Sequence, residues 1–242
     1  QQTMVYIEQV GRFQRHDGAD HIFLFSWGRF PCRLPSWRAA IRSAVALQVE
    51  DCCEDLNTEP RQPTFSRWKD ILIPGHIDEW RALEARRHNL PMEKRDVLLS
   101  FHGRHAENTD SYENVTVRSR ILSLSDLPGV SIGGFIEDYH ETLGRSVFCL
   151  APRGITPWTI HLYVAVLAGC VPVILSDHIE LPFQDKIDWQ SFSIRWPEEM
   201  VNEDLYWFLA QLPMKQVQDM KQRVDAHACW FDYYASEEDC SP

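Results

Sequence analysis

The chain has 242 residues, 44% of them hydrophobic, with 9 Trp and a formal net charge of −11. This is long and apolar enough for one large domain or two small ones, and it excludes a disordered chain. The acidic balance disfavours nucleic acid or an anionic membrane surface as partner, and no apolar run is long enough to span a bilayer.

The start carries no signal-peptide pattern, and Gln1 is not an initiator residue, so a processed chain or a piece of a longer product is expected. Residues 1–15 read as the end of a helix feeding a polar turn, His16-Asp17-Gly18-Ala19-Asp20, before a strand at 21–25. Ser36 is placed to cap a helix over 37–47. Residues 50–63 are acidic, contain Pro and read as a surface loop. A short strand follows in WKDILIP (68–74), then an exposed, charged helix and connector over 77–94. The domain boundary is expected between 92 and 93, giving a partial first domain, 1–92, and a second, 93–242.

The second domain alternates strand and helix: DVLLSF (96–101) as strand, 114–124 as helix, and 138–145 as a short helix. Residues 146–183 then read strand, turn, helix, strand, turn. An apolar strand at 148–151 ends in Pro152-Arg153-Gly154, Thr156 is an available N-cap, and Pro157 suits the first helical position. The helix over 160–168 stops at Gly169, and the β-branched run 171–175 closes at Ser176-Asp177. Strand, helix, strand with short connections implies parallel strands, whose carboxyl ends are where α/β sheets bind ligands. A strand at 192–196, a helix at 203–212 and a long helix from 214 to about 234 complete an α/β, doubly wound pattern.

Seven cysteines are present. Cys149 and Cys170 lie inside apolar elements and read as small core residues, while Cys32, Cys52 and Cys53 lack paired metal-ligand spacing, so no metal is expected. Arg104 and Arg153 each follow a predicted strand, a position suited to a phosphate or pyrophosphate; the alternative is that Arg153 ties a loop to a carboxylate such as Asp177. Asp177 and Glu180 flank the next strand end and either orient hydroxyls or cap turns. His16, Asp17, Asp20 and His21 form either an acid–base group or a hydrogen-bonded turn. Trp158, Trp189 and Trp196 either stack on a ligand or fill the core. Asn114-Val115-Thr116 is a glycosylation sequon, relevant only in a secretory protein.

The stretches CLAPRGITPW and GCVPVILSDHIELPF resemble the signature of the exostosin family, glycosyltransferase family 47. The likeness continues in order through GADHIFLF, SWRAAI, WKDILIPG, FHGR and FSIRWPE, and is similar to plant-type exostosin-like proteins. It implies a GT-B-like architecture: a Rossmann-like C-terminal domain that holds a nucleotide sugar, and an acceptor-side N-terminal domain that is incomplete here. It implies an inverting glycosyltransferase with a nucleotide sugar and a glycan or glycoprotein acceptor as substrates, no cofactor, and a Golgi or other secretory location. By the same resemblance, Arg104, Arg153, Gly154 and Thr156 would meet the diphosphate, and Asp177 and Glu180 would border the donor sugar. The resemblance assigns no catalytic base.

Three positions depart from the family pattern. Ile155 stands where an acid is usual, His161 where many members carry arginine, and Val164 where an acid would grip the nucleotide ribose. Valine cannot accept hydrogen bonds from a diol, and each unpaired hydroxyl costs about 1–3 kcal/mol. The alternative reading is therefore a catalytically silent exostosin-like scaffold, with protein subunits as partners.

Overall fold

A computed structural model describes residues 2–26, 40–50, 65–104 and 116–236. The sequon at Asn114, the acidic loop at 51–63, and Cys32, Cys52 and Cys53 lie outside the described residues. Two compact units make up the chain, residues 1–74 with 179–184, and residues 75–178 with 185–242. Each holds one parallel sheet with flanking helices.

In the first unit, helix α1 (Gln2–Gln9) precedes β1 (Ile22–Phe25), β2 (Val45–Gln48) and β3 (Ile71–Leu72), ordered β1-β2-β3. Phe25 and Ala46 pack with Phe13, Ile41 and Ala44, with Ile7 and Phe23 against them. Because side chains alternate along a strand, the other face gathers Ile22, Leu24, Val45, Leu47 and Ile71. On that aliphatic face Ile22 is 68% and Leu24 62% exposed. Asp70 clasps the sheet from below: Oδ1 accepts the Ala46 N–H at 2.9 Å and Oδ2 the Ser66 N–H at 2.8 Å.

The helix expected over 37–47 gives way to strand from Val45. Four residues are too short for periodicity to separate helix from strand, and pairing with β1 decides it. The polar cluster forms a turn: Asp17 adopts φ 50°, its Oδ2 accepts from Ser43 Oγ at 3.1 Å, and His21 Nδ1 lies 2.9 Å from Asp20 Oδ1. That contact with His21 holds the Asp20 carboxyl below its usual range.

The second unit contains α2 (Glu79–Arg87), β4 (Val97–His102), α3 (Thr116–Leu122), β5 (Val130–Gly133), α4 (Tyr139–Arg145) and β6 (Ser146–Pro152). Then come α5 (Ile160–Leu167), β7 (Val171–Leu175), β8 (Ile194–Arg195), α6 (Glu203–Ala210) and α7 (Met214–His227). The sheet order is β5-β4-β6-β7-β8, all parallel. Strands β6 and β7 are almost wholly buried, as a parallel sheet covered on both faces requires. Gly169 ends the α5 region at φ +63°, and a Cβ there would lie 2.1 Å from Asn89 Oδ1. Arg95 is buried beneath this packing and donates to the carbonyls of Leu90 (2.9 Å) and Ala168 (2.8 Å); burial lowers its pKa to about 10.

Two expectations change here. The cap of α5 is Thr159, not Thr156, and Pro157 lies outside the helix. The preceding residues are folded into a loop, in which Gly154 N–H donates to Trp158 O (3.3 Å) and Ser176 Oγ to Pro157 O (2.9 Å). Cys149 and Cys170 are buried, as expected, but they are joined in a disulfide with Cα atoms 5.8 Å apart. The register sets Cys149 beside Pro172, so the residue just before β7 comes within bonding reach.

Candidate functional site at the carboxyl edge of the second sheet

Every strand of the second sheet runs the same way, so the loops that follow β4, β5, β6 and β7 share one edge. His102-Gly103-Arg104, Gly133-Gly134, Pro152-Arg153-Gly154 and Ser176-Asp177 therefore lie along it. This is the edge at which open α/β sheets bind ligands.

Arg104 is exposed at the end of β4. Arg153 is 6% exposed, and its N–H donates to Leu175 O at 3.0 Å, which ties the loop after β6 to the end of β7. Arg118, buried on α3, joins the two loops: Nη1 donates to Arg104 O at 2.8 Å and Nε to Arg153 O at 3.0 Å. Its guanidinium also sits 5.5 Å from the centre of the Phe101 ring. Gly154 and Thr156 lie in the loop that Arg153 begins, Thr156 buried.

Asp177 is exposed after β7 and bonds to Glu198 rather than to Arg153. Glu198 Oε1 is 3.9 Å from Arg153 Nη1, so the carboxylate tie considered for Arg153 is present but made by Glu198. Burial raises the Glu198 pKa above its ordinary value, against the opposing pull of the Asp177 N–H and of Arg153. Glu180 belongs to the first unit, where it pairs with Arg67 and accepts from Gln184. Arg104, Arg153, Gly154, Thr156 and Asp177 thus share one unit, and Glu180 does not.

Reasoning from sequence missed Arg118 and Glu198 as members of this edge. Glu198 lies in the FSIRWPE stretch that carries part of the family likeness, which is the one signal that points to it. Of the departures, Val164 is 2% exposed within α5. His161 faces Gly103 from the first turn of the same helix, with Tyr139 Oη 3.1 Å from its Nδ1. His102 is fixed by Gly134 O (3.0 Å) and Ser131 Oγ (2.9 Å), and burial lowers its pKa. Trp189 is core, whereas Trp158 covers Gly75 and Trp196 packs on Phe208. Among the described residues there is no group of three or more His, Cys, Asp or Glu able to hold a metal ion, and no helix long and apolar enough to cross a membrane.

Comparison with known proteins gives this edge its setting. The chain is 31% identical over 218 residues to a probable glucuronosyltransferase of Oryza sativa subsp. japonica, covering 88% of this chain and 51% of that one. It is 32% identical over 209 residues to the probable glucuronoxylan glucuronosyltransferase IRX7 of Arabidopsis thaliana, covering 79% and 44%. The chain therefore spans about half the length of the curated relatives it matches. Among solved structures, TarM superposes with a TM-score of 0.48 at 9% identity, over 98% of this chain and 55% of that one. The model of the Exostosin GT47 domain matches residues 2–212, and the chain belongs to that family.

Proposed function

We propose that the chain is an exostosin-type glycosyltransferase domain of GT-B-like architecture that transfers a sugar from a nucleotide donor to a glycan or glycoprotein acceptor. The second unit, residues 75–178 with 185–242, supplies the nucleotide-sugar side and the first unit a partial acceptor side. The observation that carries this reading is the clamping of the Arg104 and Arg153 loops by one buried cation, Arg118, at the carboxyl edge of a parallel sheet. In an inverting transfer, a base takes the proton of the acceptor hydroxyl, and its oxygen bonds to the anomeric carbon. The bond from that carbon to the diphosphate breaks, and the nucleoside diphosphate leaves with the electron pair. Arg104 and Arg153 stabilise the departing charge, with Gly154 and Thr156 shaping the loop, while Asp177 borders the sugar. No step uses a cofactor. The buried Cys149–Cys170 disulfide supports folding in an oxidising secretory compartment such as the Golgi lumen.

The second reading, a silent subunit of a larger assembly, rests on Ile155, His161 and Val164 and on the exposed aliphatic face of the first sheet. Calorimetric titration with UDP and GDP separates the two. Micromolar binding that is weakened at least tenfold in Arg104→Ala, whose side chain is exposed, supports the donor site. The absence of binding to either nucleotide would refute it. Relatives named as glucuronosyltransferases make UDP-glucuronic acid the first donor to test in a transfer assay.

A further inference from the structure

His161 sits at the second residue of α5, in a position enclosed by three aromatic or glycine neighbours. Its ring meets Phe101 edge-on at 5.1 Å, and its Nδ1 lies 3.1 Å from Tyr139 Oη. Its Nε2 points at Gly103: a Cβ on that glycine would stand 3.0 Å from it. Nε2 has no hydrogen-bond partner among the described residues, and the residue is half-buried rather than sealed. Gly103 follows the last residue of β4, so this free nitrogen opens onto the same edge as Arg104 and Arg153.

Tyr139 and His161 share one hydrogen bond, and its direction decides which ring nitrogen carries the proton. Burial raises the pKa of the Tyr139 phenol, so it remains an O–H, and the nearest acceptor offered to it is His161 Nδ1. A neutral imidazole has one N–H and one lone pair; where the phenol donates to Nδ1, the N–H is on Nε2. The ring remains neutral, because burial and then the charges of Arg118 and Arg81 lower its pKa to about 3. The space that carries no side chain at Gly103 is thus faced by an uncharged ring nitrogen, which is a donor in the tautomer that accepts from the phenol.

We propose that His161 is a ligand-binding residue whose Nε2–H, oriented by Tyr139, donates to a phosphate oxygen of the bound nucleoside diphosphate above Gly103. This rests on the donor-site reading given above and deepens it. Two features favour an anion oxygen as the acceptor. The Arg104 and Arg153 loops lie on the same edge, and the first turn of α5 leaves backbone N–H groups without intrahelical partners. His161, where many family members carry arginine, is then a neutral donor and not a lost polar group. Tyr139 acts only through His161 and is a positioning residue.

The test has two independent readouts on the full chain. The first is the tautomer, read from the ring nitrogen shifts of 15N-histidine-labelled protein at pH 7. The Nε2–H form is expected, and a shift of that nitrogen is expected on adding UDP; an Nδ1–H form overturns the proposal. The second is UDP affinity. His161→Leu is expected to weaken binding at least tenfold, Tyr139→Phe about threefold to tenfold, and His161→Gln to recover part of the loss through its amide N–H. Gly103→Ala, which fills the space in front of Nε2, is expected to match His161→Leu. If the wild type binds UDP and all four variants bind it equally well, the His161 assignment fails while the donor site stands. If the wild type binds no nucleoside diphosphate, the donor-site reading fails and this inference with it.

Discussion

Asp177 and Glu198 bond each other twice: the Asp177 N–H donates to Glu198 Oε1 at 3.0 Å, and the Glu198 N–H to Asp177 Oδ1 at 3.1 Å. The exchange locks the loop after β7 to the turn after β8, and it holds a carboxylate 3.9 Å from the guanidinium of Arg153. Glu198 therefore competes with any anion for Arg153. Glu198→Gln retains an oxygen to accept the Asp177 N–H and removes the charge, so UDP affinity is expected to rise roughly fivefold, a fraction of the Coulomb energy of such a pair. Unchanged or weaker binding in calorimetry would count against Arg153 as a diphosphate contact.

The same residue predicts a pH dependence of stability. Burial raises the Glu198 pKa in the folded chain above its unfolded value. Between those two values the folded chain holds a proton that the unfolded chain has released, so stability falls as pH rises through that interval. Urea unfolding at a series of pH values just above the ordinary carboxylate range is expected to give this slope in the wild type. In Glu198→Gln the slope is reduced.

Arg118 spans two loops whose carbonyls are 49 residues apart in sequence, a separation obtained from residues 104 and 153. Arg118→Met keeps the aliphatic stem but removes the guanidinium that sits over Phe101 and donates to both carbonyls. A destabilisation of about 2–4 kcal/mol is expected, together with weaker UDP binding as the loops come apart. Arg118→Lys has one point of attachment in place of a fork, so it is expected to lie between the two. Thermal melts and calorimetry on the same preparations check both effects; equal melting temperatures for all three proteins would contradict the clamp.

In the first unit, Asp70 accepts two backbone N–H groups, from Ala46 and Ser66, and pairs with Lys69 at 2.6 Å. Asp70→Ala leaves a β2 N–H unpaired and is expected to cost about 2–3 kcal/mol. Asp70→Asn keeps one carbonyl oxygen and is expected to cost less. Amide hydrogen exchange at Ala46 reports the loss locally, and protection as strong as in the wild type would show the bond to be dispensable.

Much of the second sheet was legible in sequence because its signals are local. β6, α5 and β7 are apolar runs bounded by Pro, Gly and Asp, and their type and order are as read, with the cap of α5 moved from Thr156 to Thr159. β5 was not read: Val130-Ser131-Ile132-Gly133 has two apolar residues in four, and its pairing with β4 alone makes it a strand. Val45-Ala46-Leu47 of β2 was read as the end of a helix for the complementary reason, an apolar run whose type is set by its neighbour. The edge was half legible. Arg104 and Arg153 follow strands and could be named, but Arg118 and Glu198 join them only through contacts across the fold, which no spacing encodes. The Cys149–Cys170 bond depends on the register of β6 against β7, which also could not be read from the residues.

That bond has one more consequence. Removing it by Cys149→Ser with Cys170→Ser is expected to cost about 3 kcal/mol from loop closure alone. More particularly, the ring it closes contains Arg153, Gly154, Thr156, His161 and all of α5. The segment that would grip the donor is therefore a cyclic peptide set into the sheet. A protease that cuts once inside it opens the ring but releases nothing, because the two fragments stay joined through the Cys149–Cys170 bond and the pairing of β6 with β7. Nicked protein is expected to run as one band without reductant and as two with it.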